Sequence, residues 1–314
     1  MQFITLTDPA PDTLCTATIG FFDGVHLGHR YLIEQVRHKA AERGQASLLL
    51  TFRTHPRQVT HPDFRPRLLT TYEEKCDLLA STGADYCLTL DFTPEMARLS
   101  ARDFMASILK NTLHTAVLVM GHDHRFGHAS TGGFEQYADY GRELNMNVIR
   151  SEAYAPSGIG TGVSSSVIRT LLDEGDVRTA AQLLARPYSL TGIVVDGHRV
   201  GHQLGFPTAN IRPDHPYKIV PRSGVYAVRV HDGNRHTPLN GMLNIGTRPT
   251  IDNGEEQSIE VHLLDFNGDL YGRTLTVEFV HRLRDEQRFS NREELIHRLQ
   301  RDELETRALL RNPV

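Results

Sequence analysis

Cysteine is scarce in this 314-residue sequence: Cys15, Cys76 and Cys87 are the three thiols, without the paired spacing of a metal knuckle or a disulfide framework. They read as packing thiols, so a reducing compartment, the cytoplasm, is the expected location. Long apolar runs are missing too. None approaches the roughly 20 residues a membrane helix requires, and Asp8, Pro9, Pro11 and Asp12 interrupt the stretch an export signal would keep apolar. Charge of one sign is also lacking. A net charge of -4 and a pI near 6.5 supply no broad basic footprint, so neither nucleic acid nor a membrane is an expected partner. There is no repeat, low-complexity tract or coiled coil, and nothing marks an oligomeric state.

What is present fits a folded chain of two domains: 39% hydrophobic and 23% charged residues over a length that accommodates two cores. Short β-prone runs at 15–19, 47–52, 86–90, 117–120 and 148–151 alternate with helical patterns at 27–43, 73–82, 100–109 and 166–172. That alternation predicts a mainly parallel sheet covered by helices, with a boundary after Leu184. From Tyr188 the period changes. Strand-like runs at 190–195, 224–230, 239–245, 259–264 and 275–280, separated by glycine, proline and polar turns, predict a small antiparallel barrel. A charged amphipathic helix over 292–310 reads as its cap.

The densest chemistry lies in Gly20-Phe21-Phe22-Asp23-Gly24-Val25-His26-Leu27-Gly28-His29, where a strand should turn into a helix. Glycines permit a tight turn, and free N–H groups at a helix start favour anionic oxygens. His26 and His29, three apart, are suited to stabilising charge on a transferring phosphate, which suggests adenylyl transfer. Asp23 fits either orienting a histidine or backbone amide, or fixing the turn. Ser164-Ser165-Ser166-Val167-Ile168-Arg169 can cap a helix while offering hydroxyls and a guanidinium to pyrophosphate, or Arg169 can serve a surface ion pair. Thr51 to Arg57, with His55, is a second loop for flavin or phosphate contacts, or a structural turn. Gly121-His122-Asp123-His124-Arg125-Phe126-Gly127 fits ligand or turn contacts better than zinc, because further metal ligands are not identified.

In the second half, Gly201-His202-Gln203-Leu204-Gly205-Phe206-Pro207-Thr208-Ala209-Asn210 places two side-chain oxygens, on Thr208 and Asn210, where they suit magnesium or cap a turn. Glu260 stands in an alternating strand run, as a base or as a surface residue.

Together these segments closely resemble the prokaryotic bifunctional riboflavin kinase/FAD synthetase family over residues 14–310. The first turn resembles its glycine-Phe-Asp-glycine and His-x-Gly-His signature, Ser164, Ser165 and Arg169 its Ser-Ser-x-x-x-Arg motif, and Gly205 to Asn210 its Gly-x-Pro-Thr-x-Asn motif. Ser166 stands where threonine is usual, and His122 and His124 where acidic and aromatic residues are frequent. The resemblance implies an α/β N-terminal Rossmann-like nucleotidyltransferase domain, residues 1–184, and a C-terminal antiparallel β-barrel flavokinase domain with a terminal helix, residues 185–314. It implies ATP-dependent phosphorylation of riboflavin to FMN, then Mg2+-dependent adenylylation of FMN to FAD by a second ATP with pyrophosphate release. His26, His29 and Arg169 are the implied catalytic residues of adenylylation, and Glu260 of phosphorylation. Gly20, Phe21, Asp23, Gly24, His55, Asp123, Phe126, Ser164, Ser165, Gly201, Gly205, Pro207, Thr208, Asn210 and Arg284 are implied to bind ligands, with Thr208 and Asn210 on the metal. Two alternatives remain open: a kinase with weak or lost adenylyltransferase activity, and a noncatalytic flavin or nucleotide sensor.

Overall fold

The computed structural model describes residues 1–121, 124–128, 133–152, 154, 162–196, 204–233, 235–249 and 255–311. The chain divides into two compact units, Met1–Ser165 and Ser166–Val314.

Unit 1 is built on six strands, β1 (Gln2–Ile4), β2 (Cys15–Ile19), β3 (Ala46–Phe52), β4 (Tyr86–Leu90), β5 (Thr115–Met120) and β6 (Asn147–Arg150). They pair in parallel in the order β1-β4-β3-β2-β5-β6. The helices are α1 (Leu27–Glu42), α2 (Pro56–Thr60), α3 (Tyr72–Ala80), α4 (Pro94–Ala97), α5 (Ala101–Phe104), which runs on as a π-helix over Met105–Thr112, and α6 (Phe134–Glu143). β3 shows why helices flank the sheet on both faces. Leu48 and Leu50 pack in one apolar cluster with Met105 and Leu109, while Leu49 packs in another with Ile33 and Val36 of α1. A strand buried on both sides needs apolar residues facing both ways, which the run Leu48-Leu49-Leu50 supplies. The chain proceeds outward from β2 through β3 to β4, then returns to the other side of β2 as β5. Ligand crevices in such sheets form at this reversal, outside the carboxyl ends of the strands. The turn after β2 and the loop after β5 both stand there.

In unit 2, strands β7 (Tyr188–Val195), β8 (Ala209–Pro213), β9 (Gly224–Asp232), β10 (Leu239–Pro249), β11 (Glu255–Leu263) and β12 (Thr274–Arg284) close an antiparallel barrel in the order β10-β11-β8-β7-β12-β9. Closure leaves no open sheet edge. Helices α7 (Ser165–Glu174) and α8 (Val177–Leu184) precede it, and α8 packs on β7 and β12. The last helix, α9 (Arg292–Leu310), packs on β9, β10 and β12. Its Asp302 is fully buried, yet the carboxylate receives Arg284 at 2.7 and 2.9 Å and Arg298 at 2.9 Å. Those charge-assisted bonds make a buried carboxylate tolerable.

The expected α/β sheet, barrel and terminal helix are all found, with most strand ends within two residues of expectation. β8 is the consequential difference. No strand is expected between 195 and 224, whereas Ala209 opens one directly after Gly205 and Pro207. Among the described residues no helix is long and apolar enough to cross a membrane.

Candidate functional site

In unit 1 the chain leaves β2 at Gly20 and enters α1 at Leu27 through a turn with unusual backbone angles. Phe22 has φ +55°, Gly24 +82° and Val25 +40°. Such values are natural for glycine and strained for a β-branched residue. Burial holds them, since Phe22 is 2% and Val25 0% exposed. Asp23 completes the anchor. Its carboxylate accepts the backbone N–H of Leu69 at 2.9 Å and of Thr70 at 3.0 Å, as well as the Thr70 hydroxyl at 3.3 Å. That hydroxyl oxygen also accepts the Gly24 N–H at 3.1 Å. Of the two roles open to Asp23, the geometry displays turn fixation.

His26 is the N-cap of α1, and its Nδ1 accepts the backbone N–H of His29 at 3.3 Å. A ring nitrogen that accepts carries no proton, so in the neutral ring the hydrogen sits on Nε2, a donor. The His26 and His29 rings stack, with centroids 3.6 Å apart and planes 17° from parallel, and Phe22 meets His29 edge-on at 5.3 Å. Two imidazoles are thus presented together at the positive end of a 16-residue helix, an arrangement suited to phosphate oxygens.

Ser165, the last residue of unit 1, donates its hydroxyl to the Asp23 carbonyl at 2.9 Å. Ser164 precedes it, and Arg169 lies one turn into α7. The Phe21 ring lies 4.7 Å from that of His55, the N-cap of α2, and the Phe21 carbonyl accepts the Thr51 hydroxyl at 3.3 Å. Phe126 packs against Tyr137, ring centroids 4.8 Å apart, and its N–H and carbonyl both engage the Tyr137 hydroxyl. His124 lines a cavity of about 280 Å3 with Arg125, Arg150 and Phe134, and burial holds its imidazole down to about 4. Asp123 and His122 lie outside the described residues. Among the described residues no group of three or more His, Cys, Asp or Glu side chains is placed to hold a metal.

Lys75 is a residue the sequence reading missed. Only 2% exposed, it donates to the Phe52 carbonyl at 2.6 Å and lies 4.1 Å from the Phe21 ring centroid. Burial lowers its amine to about 8, against the raising effect of Asp23. The signal was its spacing four before Leu79, on the buried face of α3.

In unit 2 the site arises from strand register. Glu260 of β11 stands directly opposite Asn210 of β8 on one side and Asn244 of β10 on the other. Directly paired residues share a sheet face, so Asn244, Glu260 and Asn210 form one polar row. Asn244 joins the row through register alone. Just before β8, Thr208 donates its hydroxyl to the Glu260 carboxylate at 3.3 Å, and His262 engages the Pro207 carbonyl at 2.8 Å. Pro207 and Thr208 border a cavity of about 380 Å3 lined also by Val194, Val261, Phe266 and Tyr271. Gly205 has φ +83° in the approach to this segment. Gly201 lies outside the described residues. Arg284 is engaged in the buried Asp302 pair described above. For a magnesium ion, Thr208 and Asn210 present oxygen donors two apart on an extended segment, hence on one face. That donor set fits a hard cation that keeps most positions for phosphate and water.

Comparison with known proteins follows the same division. The FAD synthetase family model matches residues 8–167, and the riboflavin kinase family model residues 184–310. The chain is 37% identical over 300 residues to the bifunctional riboflavin kinase/FMN adenylyltransferase of Escherichia coli (strain K12), covering 95% of this chain and 93% of that one. Identity to the protein of the same description from Pseudomonas fluorescens is also 37%, over 295 residues, covering 94% and 93%. A crystal structure described as a macrolide-efflux protein from Streptococcus pneumoniae superposes with a TM-score of 0.87 at 29% identity, covering 98% of this chain and 99% of that one.

Proposed function

The chain belongs to the bifunctional riboflavin kinase/FMN adenylyltransferase family, and from that premise we propose how its two activities divide between its residues. It is an enzyme that phosphorylates riboflavin to FMN with ATP and adenylylates FMN to FAD with a second ATP. The functional border falls at Leu184, with adenylylation in 1–184 and phosphorylation in 185–314. Three free thiols, Cys15, Cys76 and Cys87, support a cytoplasmic location.

Phosphorylation starts from an alcohol. The ribityl hydroxyl attacks the γ-phosphorus of ATP, its proton passes to the Glu260 carboxylate, and ADP leaves. Thr208 and Asn210 would hold magnesium, which when bound neutralises charge on the ATP phosphates. Adenylylation needs no such base, because the FMN phosphate is already ionised at neutral pH. An FMN phosphate oxygen bonds to the α-phosphorus of ATP, the bond from that phosphorus to the bridging oxygen breaks, and pyrophosphate leaves. His26 and His29, with the N–H groups opening α1, stabilise the charge that develops, and Arg169, Ser164 and Ser165 hold the phosphates.

The observation that carries this division is the polar row of unit 2, where Glu260 has a hydroxyl partner 3.3 Å away in Thr208. Asp23, the carboxylate inside the turn of unit 1, serves backbone amides instead. The test incubates purified protein with ATP, magnesium and either riboflavin or FMN, resolving flavins and measuring pyrophosphate. FMN and FAD are expected from riboflavin, and FAD with equimolar pyrophosphate from FMN. FMN without FAD, from folded protein that binds FMN, would sink the adenylyl half.

A further inference from the structure

A buried lysine is costly unless its charge is used. The Lys75 ammonium is enclosed where three elements meet: it extends from α3, donates to the last carbonyl of β3 at Phe52, and faces the Phe21 ring 4.1 Å away and the Tyr72 ring 5.7 Å away. Only a few residues earlier, Leu69 and Thr70 grip Asp23. Segment 69–75 therefore holds the turn after β2 at two points, Phe21 and Asp23, on either side of Phe22 with its left-handed φ of +55°. Through Phe21 the contact continues to His55, 4.7 Å away.

The geometry points to Lys75 as a positioning residue for adenylyl transfer: its ammonium fixes Phe21 against the end of β3 and keeps a positive charge beneath the turn that bears His26 and His29. This rests on assigning adenylyl transfer to that turn. A neutral amine retains the hydrogen bond to Phe52 but loses the cation–ring attraction, so the device weakens as Lys75 deprotonates. The groups that face it are Asp23 from the turn, Tyr72 and Cys76 from α3, and Cys87 from β4, with Arg53 stacked over Tyr72 at 4.6 Å. Burial pushes the Cys87 thiol up to about 12 and raises the Tyr72 phenol, so both stay neutral while Lys75 loses its proton near 8.

The test is the pH profile of kcat and KM for FMN adenylylation from pH 6.5 to 9.5 in wild type, Lys75→Arg and Lys75→Met, with riboflavin phosphorylation by the same protein as internal reference. The wild-type kcat is expected to fall above about pH 8, approaching tenfold per unit. Lys75→Arg should hold activity at pH 7 within about tenfold and move the fall beyond pH 9.5, since a guanidinium keeps its charge. Lys75→Met should lose about 100-fold in kcat with a flat profile and unchanged phosphorylation. A flat wild-type profile, or an alkaline fall that persists unaltered in Lys75→Arg, would overturn the role of Lys75, even if Lys75→Met did not fold. Wild type that phosphorylates riboflavin but makes no FAD at any pH removes the adenylyl assignment itself, and this proposal with it.

Discussion

The turn of unit 1 and the polar row of unit 2 solve the same problem, placing groups around phosphates, by opposite means. In unit 1 the reactive side chains are neighbours in sequence, His26 and His29, and remote segments are recruited to hold a strained backbone in place. In unit 2 the backbone is ordinary strand, and the reactive side chains come from Thr208, Asn210, Asn244 and Glu260, brought together by barrel register. The difference teaches where each site is fragile. A turn fails when its anchors fail. A row fails when one member is lost, and otherwise shares the stability of the barrel.

The first ways to break that comparison are chemical. Glu260→Gln keeps size and hydrogen bonding but not basicity, and should lower the kcat of riboflavin phosphorylation by about 10³-fold while FMN adenylylation stays within about twofold. His29→Ala removes one stacked imidazole and should lower adenylylation by about 10²-fold, leaving phosphorylation alone. Steady-state rates with each flavin check both.

The next are structural and should show as stability. Asp23→Asn replaces one carboxylate oxygen by a donor facing the amides of Leu69 and Thr70. Denaturant unfolding of the unit 1 transition should show a loss of about 3 kcal/mol, accompanied by loss of adenylylation. The corresponding change in the row, Asn210→Ala, should leave barrel unfolding within about 1 kcal/mol. A further effect on stability is acid sensitivity. His124 has a folded pKa of about 4, below the ordinary histidine value, so the unfolded chain takes the proton first. Its contribution is complete above about pH 6.5 and lost as pH falls toward 4, a change of about 3 kcal/mol that His124→Phe should abolish in pH-dependent melts.

Legibility in the sequence followed the same contrast. The His26/His29 turn was visible because helix cap, glycines and imidazoles lie within ten residues. The sheet that carries it was visible from short β-prone, mostly apolar runs alternating with helical patterns. The polar row was only half visible: Thr208 and Asn210 lie two apart in one motif, but the pairing of Asn210 with Glu260 and of Glu260 with Asn244 depends on register, which no local pattern encodes. Lys75 was hidden by its neighbours, since Glu73 and Glu74 make the start of α3 look like a solvated face. Only its spacing to Leu79 places it inward. Arg284 marks another limit. The family resemblance implied a ligand contact for it, and the Asp302 that engages it was not evident from spacing.

The most direct test of the central claim, two chemistries on two separate residue sets, is a crossed assay of Glu260→Gln and His29→Ala with each flavin. The account predicts that Glu260→Gln converts added FMN to FAD but makes almost no FMN from riboflavin, whereas His29→Ala converts riboflavin to FMN and largely stops there. Loss of both reactions in either folded variant, or retention of both at wild-type rates, would contradict it.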